Sequence, residues 1–341
     1  MPRGVLSGFG AVASEAHLAG WRTRPEVTIV AIHEPSPERR HHALKLLKNV
    51  RIYDDLDLML EGEAPDFVDI ASPSACHAAA ARKALAAGAH VLVEKPLCLD
   101  PAELDDLANL ATQNGRILMC VHNWKHAPAY RGAQRLIAAG RLGEIQHLAL
   151  MRLRSGPAGG GTAVNGERWR TDPKSGGGIL IDHGWHVFYL AQWLMGGAAP
   201  IGVSAWLDYP SASTAEDFAD LRVEFPGRRL ATITLSWRAS ARRTSAAIYG
   251  DRALLEIEGD RTILTERSGK IEDHSVPDQA DDSYHAAWFA GMAAEFVGAI
   301  EQGAGGAIAR TNMAEARSAV RLIDAARRSS AVAGAMIRLP R

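Results

Sequence analysis

The first third of the chain alternates short apolar runs with stretches of helical period. Val5-Leu6-Ser7, Val27 to Ile32, Phe67 to Ala71, Ala89 to Val93 and Arg116 to Val121 have the continuous apolar character of strands covered on both faces. Between them the pattern predicts a helix from Pro37 to Lys48 and an alanine-rich helix capped by Ser74 and ending before Gly88. Another helix starts at Asp100-Pro101, with Asp as N-cap and Pro in the first turn. Strand–helix alternation at this spacing predicts an α/β fold built on a parallel, doubly wound sheet. From about His122 the period changes. A helix from Pro128 to Ala139 is closed by Gly140, and long strands follow: Gln146 to Arg154, Ile201 to Leu207, Asp217 to Phe225, Leu230 to Trp237 and Ser245 to Tyr249. Leu221, Val223 and Phe225 alternate with Asp220, Arg222 and Glu224, and Ile233, Leu235 and Trp237 alternate with Thr232, Thr234 and Ser236. That period of two predicts a large, mostly antiparallel sheet with one face on a core. Helices from about Tyr284 to Gln302 and Thr311 to Arg328 close the chain. The division expected is 1–122 for dinucleotide binding and 123–341 for substrate binding and oligomerisation, the latter an α+β domain.

Composition narrows the function classes. The 341 residues suffice for about two domains, and 47% hydrophobic with 23% charged residues is the balance of a chain with a sizeable core. Lys+Arg 38 against Asp+Glu 39 leaves a formal charge of -1, with no basic block to argue for nucleic acid. No apolar run approaches a membrane span and no signal-peptide segment precedes the first strand. The scattered Cys76, Cys98 and Cys120 read as reduced thiols of a cytoplasmic protein, not as a disulfide framework or metal clip.

The candidate chemistry clusters at strand ends. Gly8-Phe9-Gly10-Ala11-Val12-Ala13 is a G-x-G-x-x-A turn between strand and helix, where backbone amides can approach a pyrophosphate. Glu34 follows the next strand, 21 residues after Ala13. A carboxylate there can accept from the ribose hydroxyls of NAD and would repel the 2′-phosphate of NADP; the bland alternative is a solvated loop acid. Ser72, Pro73 and His77 lie at the carboxyl end of the fourth strand, beside the expected dinucleotide crevice, with His77 equally readable as structural. Val91-Leu92-Val93-Glu94-Lys95-Pro96 ends a strand with an acid and an amine on the edge where open α/β sheets bind ligands. Farther on, Trp169-Arg170 leads through Gly176-Gly177-Gly178 to Asp182, His183 and His186. Asp182 and His186 are four apart, so they project from one helix face and can form a proton-transfer site. A metal site including His183 is awkward, because His183 should point about 100° away, and a buried structural Asp–His pair is the plain alternative. The Gly/Ser-rich stretch Ser155 to Thr162 reads as a loop over the cleft.

Taken together, the glycine turn, the helix with His17, Ser72 to His77, Gly88 to Pro96, Leu136 to Ile145 and Asp182-x-Gly184-x-His186 resemble the glucose–fructose oxidoreductase/inositol dehydrogenase (Gfo/Idh/MocA) family over nearly the whole chain. The resemblance implies an N-terminal Rossmann domain, a C-terminal domain on a large open sheet, and a nicotinamide dinucleotide; Glu34 points to NAD in preference to NADP. It implies a small-molecule substrate of the sugar or polyol type and a homodimer or homotetramer formed through that sheet. It implies Lys95, Asp182 and His186 as catalytic residues, with no metal, and a Lys95–Pro96 peptide held cis. The cofactor would contact Gly8, Phe9, Gly10, Ala11, Val12, Glu34, Ser72, Pro73, His77, Glu94 and Lys95. The substrate would meet Lys95, Asn123, Lys125, Trp169, Arg170, Asp182 and His186. Two departures stand out: Tyr189 occupies the place of an acid frequent three residues after the histidine, and Lys125 that of an arginine. Alternatives on the same fold are a glycoside hydrolase that retains its NAD and a non-enzymatic ligand sensor.

Overall fold

The computed structural model describes residues 1–157, 169–211, 214–278 and 284–340, and these fall into two compact units. The first comprises 1–123 with 284–317; the second begins at Trp124 and includes 318–340.

The first unit is built on six parallel strands: β1 (Arg3–Ser7), β2 (Thr28–His33), β3 (Arg51–Tyr53), β4 (Phe67–Ile70), β5 (His90–Val93) and β6 (Leu118–Cys120), in the order β3-β2-β1-β4-β5-β6. The order reverses between β1 and β4, so the crevice at the carboxyl ends of these strands is where such a sheet takes its ligand. The short β3 and the helix Leu56–Glu63, which Asp55 caps by accepting from Asp57 N and Leu58 N, had no clear sequence signal. Asp100 caps the helix Pro101–Gln113 as the sequence indicates. Ser74 does not cap its helix. It is buried in a tight turn, Ser74–Cys76, where Pro73 O accepts from Cys76 N and Ser74 O from His77 N, so the helix His77–Ala86 continues from that turn without a side-chain cap.

The helix Ala286–Gln302 packs in this unit although it follows the second sheet in sequence. Phe289, Met292, Ala293 and Phe296 form its apolar stripe and join Trp21 and Phe67 in the core. The ring centroids of Trp21 and Phe67 are 4.8 Å apart, and those of Phe67 and Phe296 are 5.7 Å apart.

The second unit carries nine strands: β7 (Ile145–Leu153), β8 (Gly202–Asp208), β9 (Phe218–Phe225), β10 (Arg229–Ser236), β11 (Arg243–Gly250), β12 (Ala253–Glu258), β13 (Arg261–Glu266), β14 (Ile271–Asp273) and β15 (Ile337–Arg338). Their order is β14-β13-β12-β11-β7-β10-β9-β8-β15, antiparallel throughout except for the parallel pair β7–β10. The expected alternation is present, with Leu221, Val223, Phe225, Ile233 and Leu235 buried. The strands beyond Tyr249 are shorter and more polar, and their sequences carry no clear strand signal. The helix Trp185–Leu194 lies among core side chains, and Gly184 brings it close: a Cβ there would sit 3.3 Å from Leu235 Cδ1.

Phe67→Ala should lower stability by about 3–5 kcal/mol, by cavity formation between Trp21 and Phe296. Leu44→Ala, at a position 59% exposed, should cost no more than about 0.5 kcal/mol. Urea unfolding followed by circular dichroism checks both; equal losses would refute this account of the core.

Candidate active site

In the first unit every cofactor-side candidate lies at or just beyond the carboxyl end of a strand. Gly8 has φ +91°, and a Cβ there would lie 2.6 Å from Ser72 N, so only glycine fits between β1 and the loop that follows β4. Gly10 is different: a Cβ would meet nothing nearer than Arg39 Nη1 at 3.9 Å, leaving the amide edge of the turn open. The helix that begins at Ala11 and Val12 presents first-turn amides to that opening. A dinucleotide phosphate fits this cradle, since the turn is tight on the protein side and vacant on the other.

Glu34 is buried, not a solvated loop acid. Its Oε2 accepts from Phe9 N at 2.8 Å and its Oε1 from Ser36 N at 2.9 Å. The carboxylate therefore ties the glycine turn to the end of β2, and each oxygen keeps a second lone pair for a ribose hydroxyl. Pro73 follows Ser72 into the Ser74–Cys76 turn. His77 is fully enclosed, with Nδ1 2.6 Å from Pro96 O and Nε2 2.7 Å from Ser72 O. Burial lowers its pKa, and a neutral ring has one N–H, so it donates to one of the two carbonyls at a time. It thus links the loop after β4 to the loop carrying Lys95. The Lys95–Pro96 peptide is cis.

No local sequence signal assigns His17 a role of its own, yet it proves central. Its Nδ1 lies 2.9 Å from Asp69 Oδ2 and its Nε2 3.1 Å from Glu94 Oε1. Trp21 Nε1 donates to the same Asp69 oxygen at 2.7 Å, and Phe289 stacks on the imidazole at 3.8 Å. Burial by itself would lower the pKa of His17. The Asp69 and Glu94 carboxylates outweigh it and push the pKa up to about 9. Burial works against the Glu94 carboxylate in turn, but the hydrogen bond and charge of His17, with Lys95, hold its pKa below the ordinary value. Glu94 Oε2 also accepts from Lys95 N at 2.9 Å, so the backbone at Lys95 is fixed by a charge network reaching back to the first helix.

In the second unit the π-helical turn Leu180–Gly184 runs into the helix Trp185–Leu194 and carries Asp182, His183 and His186, all buried. Asp182 Oδ2 is 3.4 Å from Arg170 Nε and 3.4 Å from His183 Nδ1. The approach of His183 corrects the expectation that it points away from Asp182; the wider π turn changes the angular spacing. Trp237 Nε1 donates to His183 at 3.4 Å. His186 stacks on Trp124 with centroids 4.6 Å apart, and its Nδ1 lies 3.0 Å from Tyr189 Oη. The same hydroxyl accepts from Trp124 N at 3.1 Å. Lys125 is buried with its ammonium 5.7 Å from the Trp193 ring centroid. Asn123 Oδ1 is buried without a hydrogen-bond partner among the described residues. Trp169 opens a short turn, Trp169–Thr171. Of Gly176, Gly177 and Gly178, the last has φ +117°, where a Cβ would strike the Glu216 carboxylate. The loop expected at 155–162 falls mostly outside the described residues.

Two family models match the chain. One, described as an oxidoreductase family with an NAD-binding Rossmann fold, covers residues 3–122; the other, the GFO/IDH/MocA C-terminal domain, covers 130–256. The chain belongs to the Gfo/Idh/MocA oxidoreductase family. It is an NAD-dependent oxidoreductase with a Rossmann domain and a mixed-sheet C-terminal domain. Among curated relatives of this family, the D-glucoside 3-dehydrogenase of Escherichia coli (strain K12) is 26% identical over 304 residues, 83% of this chain and 84% of that protein. The dTDP-3,4-didehydro-2,6-dideoxy-alpha-D-glucose 3-reductase of Streptomyces violaceoruber is 28% identical over 338 residues, 95% and 94% of the two chains. An inositol dehydrogenase homolog from Azotobacter vinelandii, solved with NADH and myo-inositol, superposes with a TM-score of 0.84 at 20% identity and covers 99% of this chain and 97% of its own. Among the described residues no group of His, Cys, Asp and Glu is arranged to hold a metal, and no helix is long and apolar enough to cross a membrane.

The His17 network carries a pH signature. Below about pH 6.5 the imidazole is protonated in folded and unfolded chains alike, and its stabilisation is present in full. As pH rises toward about 9 the unfolded chain sheds the proton first and the stabilisation is lost. Wild-type protein should lose on the order of 3 kcal/mol across that window, and His17→Asn should lose none of it. Urea midpoints measured from pH 6 to 9.5 decide; parallel profiles would show that His17 is not a buried cation.

Proposed function

We propose that the chain transfers a hydride between NAD and a secondary alcohol or ketone of a sugar or polyol, and that Lys95, Asp182 and His186 carry the proton chemistry. The observation that carries this reading is Lys95 itself. It follows β5 at the ligand edge of an NAD-binding domain, with its backbone amide locked to Glu94. Support on the second unit comes from a histidine and an acid, each held by its own partners. The sugar dehydrogenase and nucleotide-sugar reductase activities of the two relatives favour a carbohydrate substrate.

Bound NAD supplies the hydride acceptor. Gly8, Phe9, Gly10, Ala11 and Val12 would cradle its phosphates, Glu34 its ribose, and Ser72, Pro73, His77 and Glu94 would line its path toward Lys95. His186 takes the hydroxyl proton in oxidation. This requires the tautomer whose proton sits on Nδ1 and is donated to Tyr189 Oη, because only then is Nε2 a base. The lysine ammonium hydrogen-bonds the same substrate oxygen and stabilises its developing negative charge. Asp182 orients this side of the site together with Arg170. Asn123, Lys125 and Trp169 would complete the substrate contacts. A second copy would dock on the outer face of the nine-stranded sheet, where Trp206 is exposed in register with Asp220 and Thr234.

Calorimetry with NADH and NADPH is the first test. NADH should bind at least ~10-fold more tightly, since Glu34 repels a 2′-phosphate. Lys95→Met should keep NADH binding and lose at least ~100-fold in kcat. Wild-type turnover in that variant would overturn the role of Lys95. Cofactor that co-purifies and is never consumed during glycoside cleavage would replace net oxidation with internal redox.

A further inference from the structure

Three neighbouring arginines of the second unit, Arg152, Arg154 and Arg242, make no ion pair among the described residues. Arg152 and Arg154 are two apart on β7 and its extension, and so point to the same face. Arg152 is only 2% exposed. It bonds Met151 O and the Tyr130 hydroxyl, and its guanidinium lies 4.3 Å from the centroid of Trp124, the ring that stacks on His186. Arg154 is half-buried. Its backbone is held by Arg154 N–Ser236 O at 2.8 Å and Ala239 N–Arg154 O at 3.0 Å, while its side chain makes no ion pair among the described residues. The antiparallel register pairs Arg243 with Leu153, and the next step places Arg242 opposite Arg154. Arg242 is exposed and likewise makes no ion pair among the described residues, although its neighbours Arg238 and Arg243 bind Asp217 and Glu258.

Like charges facing each other at a strand end destabilise the sheet. Burial, and then the Arg242 charge, disfavour the charged form of Arg154; Asp182 is the acid that acts on it in the other direction. Asp182 is already met by Arg170. Excess positive charge thus accumulates beside the substrate-side groups, where it costs stability unless an anion arrives.

We propose that the substrate carries an anionic group, a carboxylate or a phosphate, bound by Arg154 and Arg242 with Arg152 behind them. This rests on the reading of Asp182 and His186 as the substrate side, and it excludes a simple neutral polyol as the preferred substrate. Arg154 and Arg242 would fix the anion, and with it the position of the hydroxyl that is oxidised.

The test is a calorimetric titration of NADH-loaded protein at low ionic strength with inorganic phosphate and with malonate, on wild type, Arg154→Gln and Arg154→Lys. Saturable binding to wild type, weakened at least 10-fold in Arg154→Gln and partly restored in Arg154→Lys, is the expected result. Tighter malonate binding assigns a sugar acid; tighter phosphate binding assigns a sugar phosphate or nucleotide sugar. Absence of saturable binding, or equal binding by wild type and Arg154→Gln, overturns the inference. The titration needs no turnover, so its failure is separate from that of the hydride-transfer reading. Oxidation of a neutral polyol without anion binding would sink only the inference. Anion binding without hydride transfer to any carbohydrate would sink only the other.

Discussion

One imidazolium holds the ligand edge of the first unit together. Asp69 at the end of β4 and Glu94 after β5 are acids on neighbouring strands, and both point inward. Two buried carboxylates that close repel each other and pay heavily for lost hydration. His17, fixed between them, turns that liability into a network. Trp21 supplies a further donor to Asp69, and Phe289 seals the ring from water. Because Glu94 also receives the amide of Lys95, the position of the proposed catalytic lysine depends on a charge at the first helix. His77 acts on the same loop from the other side through Pro96.

Glu34 performs an analogous task at the glycine turn. It bonds Phe9 from within the turn and Ser36 beyond β2, so the turn keeps its shape before a cofactor is bound. Preorganisation of this kind avoids the entropy of ordering a glycine-rich loop during binding. A carboxylate at this place therefore shapes the loop itself.

The second unit uses aromatic stacking where the first uses ion pairs. Arg152, Trp124 and His186 form a column, and Tyr189 ties the imidazole to the Trp124 backbone. A phenol at position 189 holds the His186 ring without adding a negative charge. With Arg152 and Arg154 close by, this side of the chain is more cationic than Asp182 alone would suggest.

The apolar runs and the glycine, Glu-Lys-Pro and Asp-x-Gly-x-His motifs were enough to set the parallel sheet, the alternating sheet and the positions of Gly8, Lys95, Asp182 and His186 along the chain. Those features depend on local period and on residues adjacent in sequence, so they are legible without a structure. The parallel contact of β7 with β10, the return of Ala286–Gln302 to the first core and the short strands beyond Tyr249 depend on pairings between distant segments. The burial of Glu34 and the placing of His17 against acids 52 and 77 residues away were likewise decided by tertiary packing. A side chain's charge state follows from what surrounds it, and only the folded chain brings those groups together.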